Sequence, residues 1–529
     1  MLARIGPRWN SRDGRDRDRA TGTHGLTTFE WLIGLLLAAV ALSALARRIK
    51  VPYPTFLAIG GMLLAFVPSS PNWALEPNLA LALLVAPVLL DAAYDTSVRD
   101  LRDYWLPVSA LVFVAVGITI AAVAVLARWL LPDMPWAAAI ALGAIVAPPD
   151  AAAATTILRQ VKLPYRVLKV LEGESLLNDA SALLIYRVAV GAAVTQHFEW
   201  SAFAPKIALA LAGSLVAGFL FAKVSMFLTR RITDAPSFII LQFAGTFTVW
   251  IAADHLGLSG ILTIVAYAIT IARFSPARTP ARLRVPSYAV WETAVFVLNV
   301  LAFILIGMQL RPIWSRLDDP VRLKYCAVAA GVLATLILAR IIWVMLYNFA
   351  FALLVAHRGF HPRRPMPTPT LRGGSVVAWC GMRGIVTLAA AFALPEDFPY
   401  RDLMLLTAFA VVLGTLVIQG LTLRPLIAAL QLQDDDPVTA EVGRARAIAY
   451  RAALDEIDGD PSEAAEILRH EYQALLLRAK ADPDGRVATG ELPADPLRRR
   501  AIAAARRSLL ALRNSETIGD DAFHRLEEE

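Results

Sequence analysis

The chain has 529 residues, of which 57% are hydrophobic and only 18% charged, with a formal net charge of +7. A mean hydropathy of +0.55 is too apolar for a soluble or a disordered chain and points to a helical protein with many membrane spans. The two cysteines, Cys326 and Cys380, both lie in apolar stretches and read as core fillers, which excludes a disulfide framework or a cysteine-based metal site.

Residues 1–27 read as a polar, arginine-rich tail (SRDGRDRDRA) ahead of an apolar run. That run has no clear small-residue cleavage site and the next span follows at once, so a removed signal peptide is not expected. A span needs roughly 20 predominantly apolar residues. Such stretches lie at 28–46, 51–68, 77–94, 105–130, 136–158 and 168–194. Others follow at 203–229, 236–255, 258–274, 289–310, 322–356, 374–394 and 403–430. The expectation is an all-α polytopic protein with about thirteen transmembrane helices across 28–430.

From 431 to 529 the character changes, with 14 Lys plus Arg against 21 Asp plus Glu, which leaves +14 on the rest of the chain. Helical patterns at 441–457, 462–480 and 495–513, with a short one after Asp520, predict a small soluble helical domain. Asp460-Pro461 and Asp520 mark helix starts. This domain is expected to pack on the membrane part or on a partner subunit, or to bind a regulator.

Orientation follows from Lys and Arg in short loops. Arg47, Arg48, Lys50, Arg99, Arg102, Arg159, Lys162, Arg166, Lys169, Arg230 and Arg231 share one side with the basic stretches 273–284 and 358–372. That side reads as cytoplasmic, in a multi-pass protein of the cell (inner) membrane. An odd number of spans then places the N-terminus outside and the C-terminus inside. The basic N-terminal tail and the loop holding Arg311, Arg316, Arg322 and Lys324 run against this reading.

The residues with chemistry stand out against the apolar background. In LEGESLLNDASALLIYRVAV, Glu174, Ser175, Asn178 and Asp179 fall within six residues of a span. A carboxylate inside a bilayer costs several kcal/mol unless it faces a partner or a water-filled path, so it marks a functional site. On a helix Ser175 and Asp179 are i and i+4, and Glu174 and Asn178 form a second such pair beside them. Carboxylate, hydroxyl and amide oxygens are hard ligands suited to an alkali cation and unsuited to a soft metal. Burial disfavours the charged form of Asp179 and a bound cation favours it, so proton and cation compete for one site. If only neutralised forms cross between access states, that competition yields antiport.

In GAIVAPPDAAAATTI, Pro148 and Pro149 remove backbone donors in mid-span. Interrupted spans put half-helix ends and free carbonyls at a midplane ion site, so Asp150 is an ion-site or helix-capping residue. In WCGMRGIVTLAAAFALP, Arg383 sits between Gly381 and Gly384 and needs a carboxylate partner. Glu174 is the expected partner and Glu292 the second candidate. Asp91, in PVLLDAAYDTSVRD, is placed at an ion entrance or at a helix end. The one pair tempting for an enzyme, His357 and His361, lies in a Pro/Arg-rich loop without an acidic partner. No enzyme, cofactor or nucleic-acid site is expected.

Taken together, GESLLNDA, GMRGIVTLA, PVLLDAAY and HLGLSGIL, in that family's order and spacing, resemble the monovalent cation:proton antiporter family in its sodium/proton exchanger branch. The resemblance covers about residues 28–430. It implies inverted repeats with crossed broken helices, a homodimer, alternating access, and a role in pH and sodium homeostasis. It implies Asp179 as the ion- and proton-binding carboxylate, Ser175 as a nearby ligand, Glu174 bridging to Arg383, Asn178 as structural, and Asp91 near the ion path. Asn178 ahead of Asp179 goes, in that family, with electroneutral exchange. Where family members carry Thr-Asp-Pro, this chain reads Pro149-Asp150-Ala151, so a carbonyl, a water or Thr155 must stand in for the threonine. Potassium/proton exchange on the same fold is the alternative, and a cation channel or membrane sensor the alternative of another class.

Overall fold

The computed structural model describes residues 13–49, 51–67, 77–150, 163–195, 200–275, 278–358, 370–432, 437–481 and 495–515, with 517, 522 and 526. They divide into two compact units, Met1–Gln433 and Asp434–Glu529. The described part of the first is helical throughout. Its principal helices are α1 (Asp13–Arg48), α2 (Tyr53–Leu64), α3 (Ala86–Asp95), α4 (Trp105–Leu130), α5 (Trp136–Val146), α6 (Tyr165–Thr195) and α7 (Trp200–Thr229). They continue with α8 (Ala235–His255), α9 (Gly260–Phe274), α10 (Ala281–Met308), α11 (Asp319–Arg358), α12 (Leu371–Trp379), α13 (Ile385–Phe392) and α14 (Arg401–Leu430).

Each of the thirteen apolar stretches contains helix among the described residues. Seven helices are long and apolar enough to cross a membrane, and shorter apolar helices accompany them. α1 begins at Asp13, inside the stretch read as a polar tail, so position 27 is not a break in secondary structure. Burial separates two kinds of helix. The most apolar window of α14 is 72% buried, whereas that of α7 is 17% buried and presents Leu209, Leu220 and Phe227 outward. Apolar faces of that extent are stable only against hydrocarbon or a second protein surface. α2 and α10 cross so closely that a Cβ on Gly61 or Gly307 would collide with the Ile304 or Ala58 carbonyl, the close backbone approach that small residues permit between membrane helices.

Two large apolar clusters and a small third one, Ala93, Leu176, Val265 and Ala268, fill the interior among the described residues. One large cluster joins residues of α2, α4, α5, α10, α11 and α14, and the other joins α3, α8 and α9. α6 and α13 contribute to both large clusters, through Ala182 and Leu388 on one side and Ala180 and Val386 on the other. Any polar group carried on those helices between the clusters is therefore held at the seam.

Among the described residues one helix ends near that seam and another is broken there. α5 stops at Val146, where Pro148 and Pro149 supply no N–H to continue it. α12 and α13 are separated by an extended link, Cys380 to Gly384. The end and the break touch: the Asp150 N–H donates to the Met382 carbonyl at 2.7 Å.

In the second unit, α15 (Pro437–Glu456) and α16 (Glu463–Ala481) pack as a pair, with Tyr450 and Tyr472 ring centroids 6.2 Å apart. α17 is Asp495–Asn514. The start of α16 is capped by Ser462, whose Oγ accepts from the Ala465 N–H at 3.2 Å, while Asp460 accepts from the Ser462 N–H at 2.9 Å. Asp460 thus supports the cap rather than forming it. Asp520 lies outside the described residues.

Candidate functional site

The i, i+4 pairs of α6 point two ways, as the 100° between neighbouring residues requires. Ser175 and Asp179 line a cavity of about 940 Å³, and Asp150 and Asp91 line it too. Glu174 and Asn178 face into protein and are 1% and 0% exposed. Asp179 is itself 8% exposed, and it shares that cavity wall with Asp150. Two carboxylates and a hydroxyl thus face one cavity from α6 and the segment after α5. Among the described residues no group of three or more His, Cys, Asp or Glu is placed to hold a resident metal. The oxygen set suits a hard monovalent cation that must also leave.

The buried pair holds this arrangement in place. The Asn178 Nδ2 donates to the Pro149 carbonyl at 2.6 Å, and because a carbonyl only accepts, this fixes the amide with its nitrogen toward the break. The Asp150 carboxylate lies against Gly384, where a Cβ would overlap it. Gly384 is also the residue from which α13 starts, so the carboxylate meets the positive end of a half-helix.

Arg383 does not pair with Glu174, contrary to the expectation from the sequence. It is 1% exposed and spends its guanidinium on carbonyls: Nε on Val146 and Nη2 on Ala147, each at 3.0 Å, and Nη1 on Gly381. The physical reason is the proline break. The end of α5 leaves carbonyls with no intrahelical donor and a partial negative charge, and a guanidinium satisfies both. The backbone N–H of Arg383 donates to Thr415 Oγ1 on α14 at 3.0 Å. Glu292, the second candidate partner, is exposed on the cavity wall. Thr155 lies outside the described residues.

Glu174 is bound instead by Arg340 of α11. The guanidinium forks onto both carboxylate oxygens, with Nη2 to Oε2 at 2.8 Å, and its Nε and Nη2 also reach the Val377 carbonyl of α12 at 3.2 and 3.0 Å. The signal was in the sequence, a lone arginine inside LILARIIWVML, and the rule that singled out Arg383 applies equally to it.

The family model of transmembrane sodium/hydrogen exchangers matches residues 34–429, a span that contains every residue of this site. The chain belongs to the sodium/hydrogen exchanger family. This exchanger is 29% identical over 474 residues to a sodium, potassium, lithium and rubidium/H+ antiporter of Bacillus pumilus, covering 85% of this chain and 69% of the relative. It is 28% identical over 466 residues to the low-affinity Na+/H+ antiporter NhaS1 of Synechocystis, covering 84% of each. Among solved structures it matches the sodium proton antiporter MjNhaP1 of Methanocaldococcus jannaschii with a TM-score of 0.59 and 17% identity, over 77% of this chain and 99% of that one. That likeness carries the exchanger's fold, an all-helical antiporter architecture.

Proposed function

We propose that the exchanger is a secondary antiporter that trades cytoplasmic Na+ for external H+ by alternating access, with Asp179 as the group that both ions compete for. The observation carrying this is that Asp179, Asp150 and Ser175 face one cavity where the segment after α5 meets the break before α13. Asp91, on the same cavity wall, serves the path to the site. Glu174 with Arg340, Asn178 with Pro149, and Arg383 with the end of α5 are its scaffold. A buried carboxylate that is neutral when protonated and neutral again with one Na+ moves no net charge between access states, which supports one-for-one exchange. The name of the Bacillus relative includes both sodium and potassium and that of NhaS1 sodium alone, so it is the NhaS1 likeness that supports Na+ ahead of K+.

The cavity carries Arg47 and Arg284 on its wall, residues of the side that reads as cytoplasmic, which supports an inward-open state. The same charge count supports the C-terminus in the cytoplasm and the second unit as a cytosolic domain, and the thirteen apolar stretches support about thirteen spans in the inner membrane. The outward apolar face of α7 supports a homodimer or a lipid contact. The role is control of internal pH and sodium.

The test is cation-induced proton movement in everted vesicles, titrated with Na+, Li+ and K+. Asp179→Asn abolishes the response to every cation while the protein still inserts; full retained activity overturns the assignment. A larger response to K+ than to Na+ overturns the selectivity alone.

A further inference from the structure

α17 carries an apolar face that is largely exposed among the described residues. Among the described residues no other helix packs substantially on it, and Leu497 and Ile502 are 70% and 61% exposed. At 100° per residue most of its side chains separate onto two faces, with Arg498 and Leu510 as the exceptions. Leu497, Ala501, Ile502, Ala504, Ala505, Leu509 and Leu512 fall on one half of the wheel, where Arg498, in the first turn, is the one charged residue. Arg499, Arg500, Arg506, Arg507 and Arg513 fall on the other, all of them exposed.

Charge is segregated along the chain as well. The twenty residues of α17 hold six Arg and one Asp, while the remainder of 431–529 holds 8 Lys plus Arg against 20 Asp plus Glu. Free in water such a helix is marginal, because its apolar stripe gains nothing. The acidic segments nearby in sequence match its charge, and the exposed Ile448, Ile467 and Leu477 of α15 and α16 do not pack substantially on that stripe.

We propose that α17 is an interfacial helix that lies on the membrane, its leucine face in the headgroup boundary and its arginines on anionic lipid phosphates. A strongly basic face opposite an apolar one is the pattern of helices that lie in the plane of a bilayer. Charge complementarity selects anionic over zwitterionic lipid, each arginine near such a surface contributing about fivefold in affinity. The inference concerns the second unit and a lipid surface, and it does not depend on which ions the first unit exchanges.

The test is amide hydrogen exchange on the full chain in nanodiscs, which expose both leaflets and so need no assumption about topology. One set of discs contains phosphatidylcholine alone and the other phosphatidylcholine with about a third phosphatidylglycerol. Amides of 497–512 are protected at least about tenfold more in the anionic discs, and raised salt removes part of that protection. Arg500→Gln with Arg507→Gln weakens surface binding about thirtyfold, and Ile502→Ser with Leu512→Ser also removes the protection. Equal protection in both discs and in detergent overturns the proposal in favour of a protein partner, this chain or a second copy. Rapid exchange under every condition overturns it in favour of a solvated helix.

Discussion

Replacing Arg340 by methionine leaves the Glu174 carboxylate buried without its forked partner. Removing one member of a buried ion pair costs about 3–5 kcal/mol, because the remaining charge has lost its solvent and its counter-charge together. Removing both members costs far less, since two apolar side chains of similar volume need no compensation. Glu174→Met in the Arg340→Met background therefore recovers most of the loss. What remains is the Val377 carbonyl, which loses the Arg340 donors in both variants, at about 1 kcal/mol. The assay is the melting midpoint of detergent-purified protein, read as the soluble fraction after heating. The expected order is wild type, then the double variant close below it, then Arg340→Met well below both. The same Glu174→Met placed on Arg383→Met rescues nothing, because Arg383 is bonded to carbonyls. Rescue in the Arg383 background and none in the Arg340 background refutes the pairing.

Gly384→Ala puts a Cβ where the Asp150 carboxylate lies and lowers exchange by at least about tenfold in vesicles, through misplacement of a site group. Asn178→Leu leaves the Pro149 carbonyl without its donor, so the melting midpoint falls by the equivalent of about 1–3 kcal/mol. Gly307→Leu forces α10 away from the α2 backbone and costs about 1–3 kcal/mol or more by the same assay. Hydrogen bonds from Ser462 hold the Asp460 carboxyl below its ordinary range. Because that shift is downward, the contribution to the start of α16 is present above the usual carboxylate range and is lost as pH falls through and below it. Amide exchange at Ser462, corrected for intrinsic rate, should speed up on acidification, and Asp460→Asn should remove the pH dependence.

The polar residues of the core were legible one by one, because each interrupts an apolar run whose period is otherwise unbroken. Glu174, Asn178 and Asp179 announce themselves in this way, and Pro148-Pro149 announces a helix break. Which groups meet was not legible. Glu174 and Arg340 are 166 residues apart in the chain, and nothing in the spacing prefers Arg340 over Arg383. The error about Arg383 came from treating its need as a need for a carboxylate. The carbonyls freed by the prolines were implied by the same sequence, but their position opposite Arg383 depends on how the interrupted helices cross. α17 shows the opposite case: its helix was legible from the sequence, while the exposure of Leu497 and Ile502 emerged only when packing could be seen.

The end of α5 and the break before α13 are bonded to each other through Asp150 and Met382, and through Arg383 with Val146 and Ala147. Neither segment is therefore a free-standing part. A chimera that imports the proline segment of another exchanger without its matching glycine-arginine segment would join a set of orphaned carbonyls to a guanidinium aimed elsewhere. Domain exchange between such proteins has to cut around both segments at once, and drift in one constrains what the other can accept.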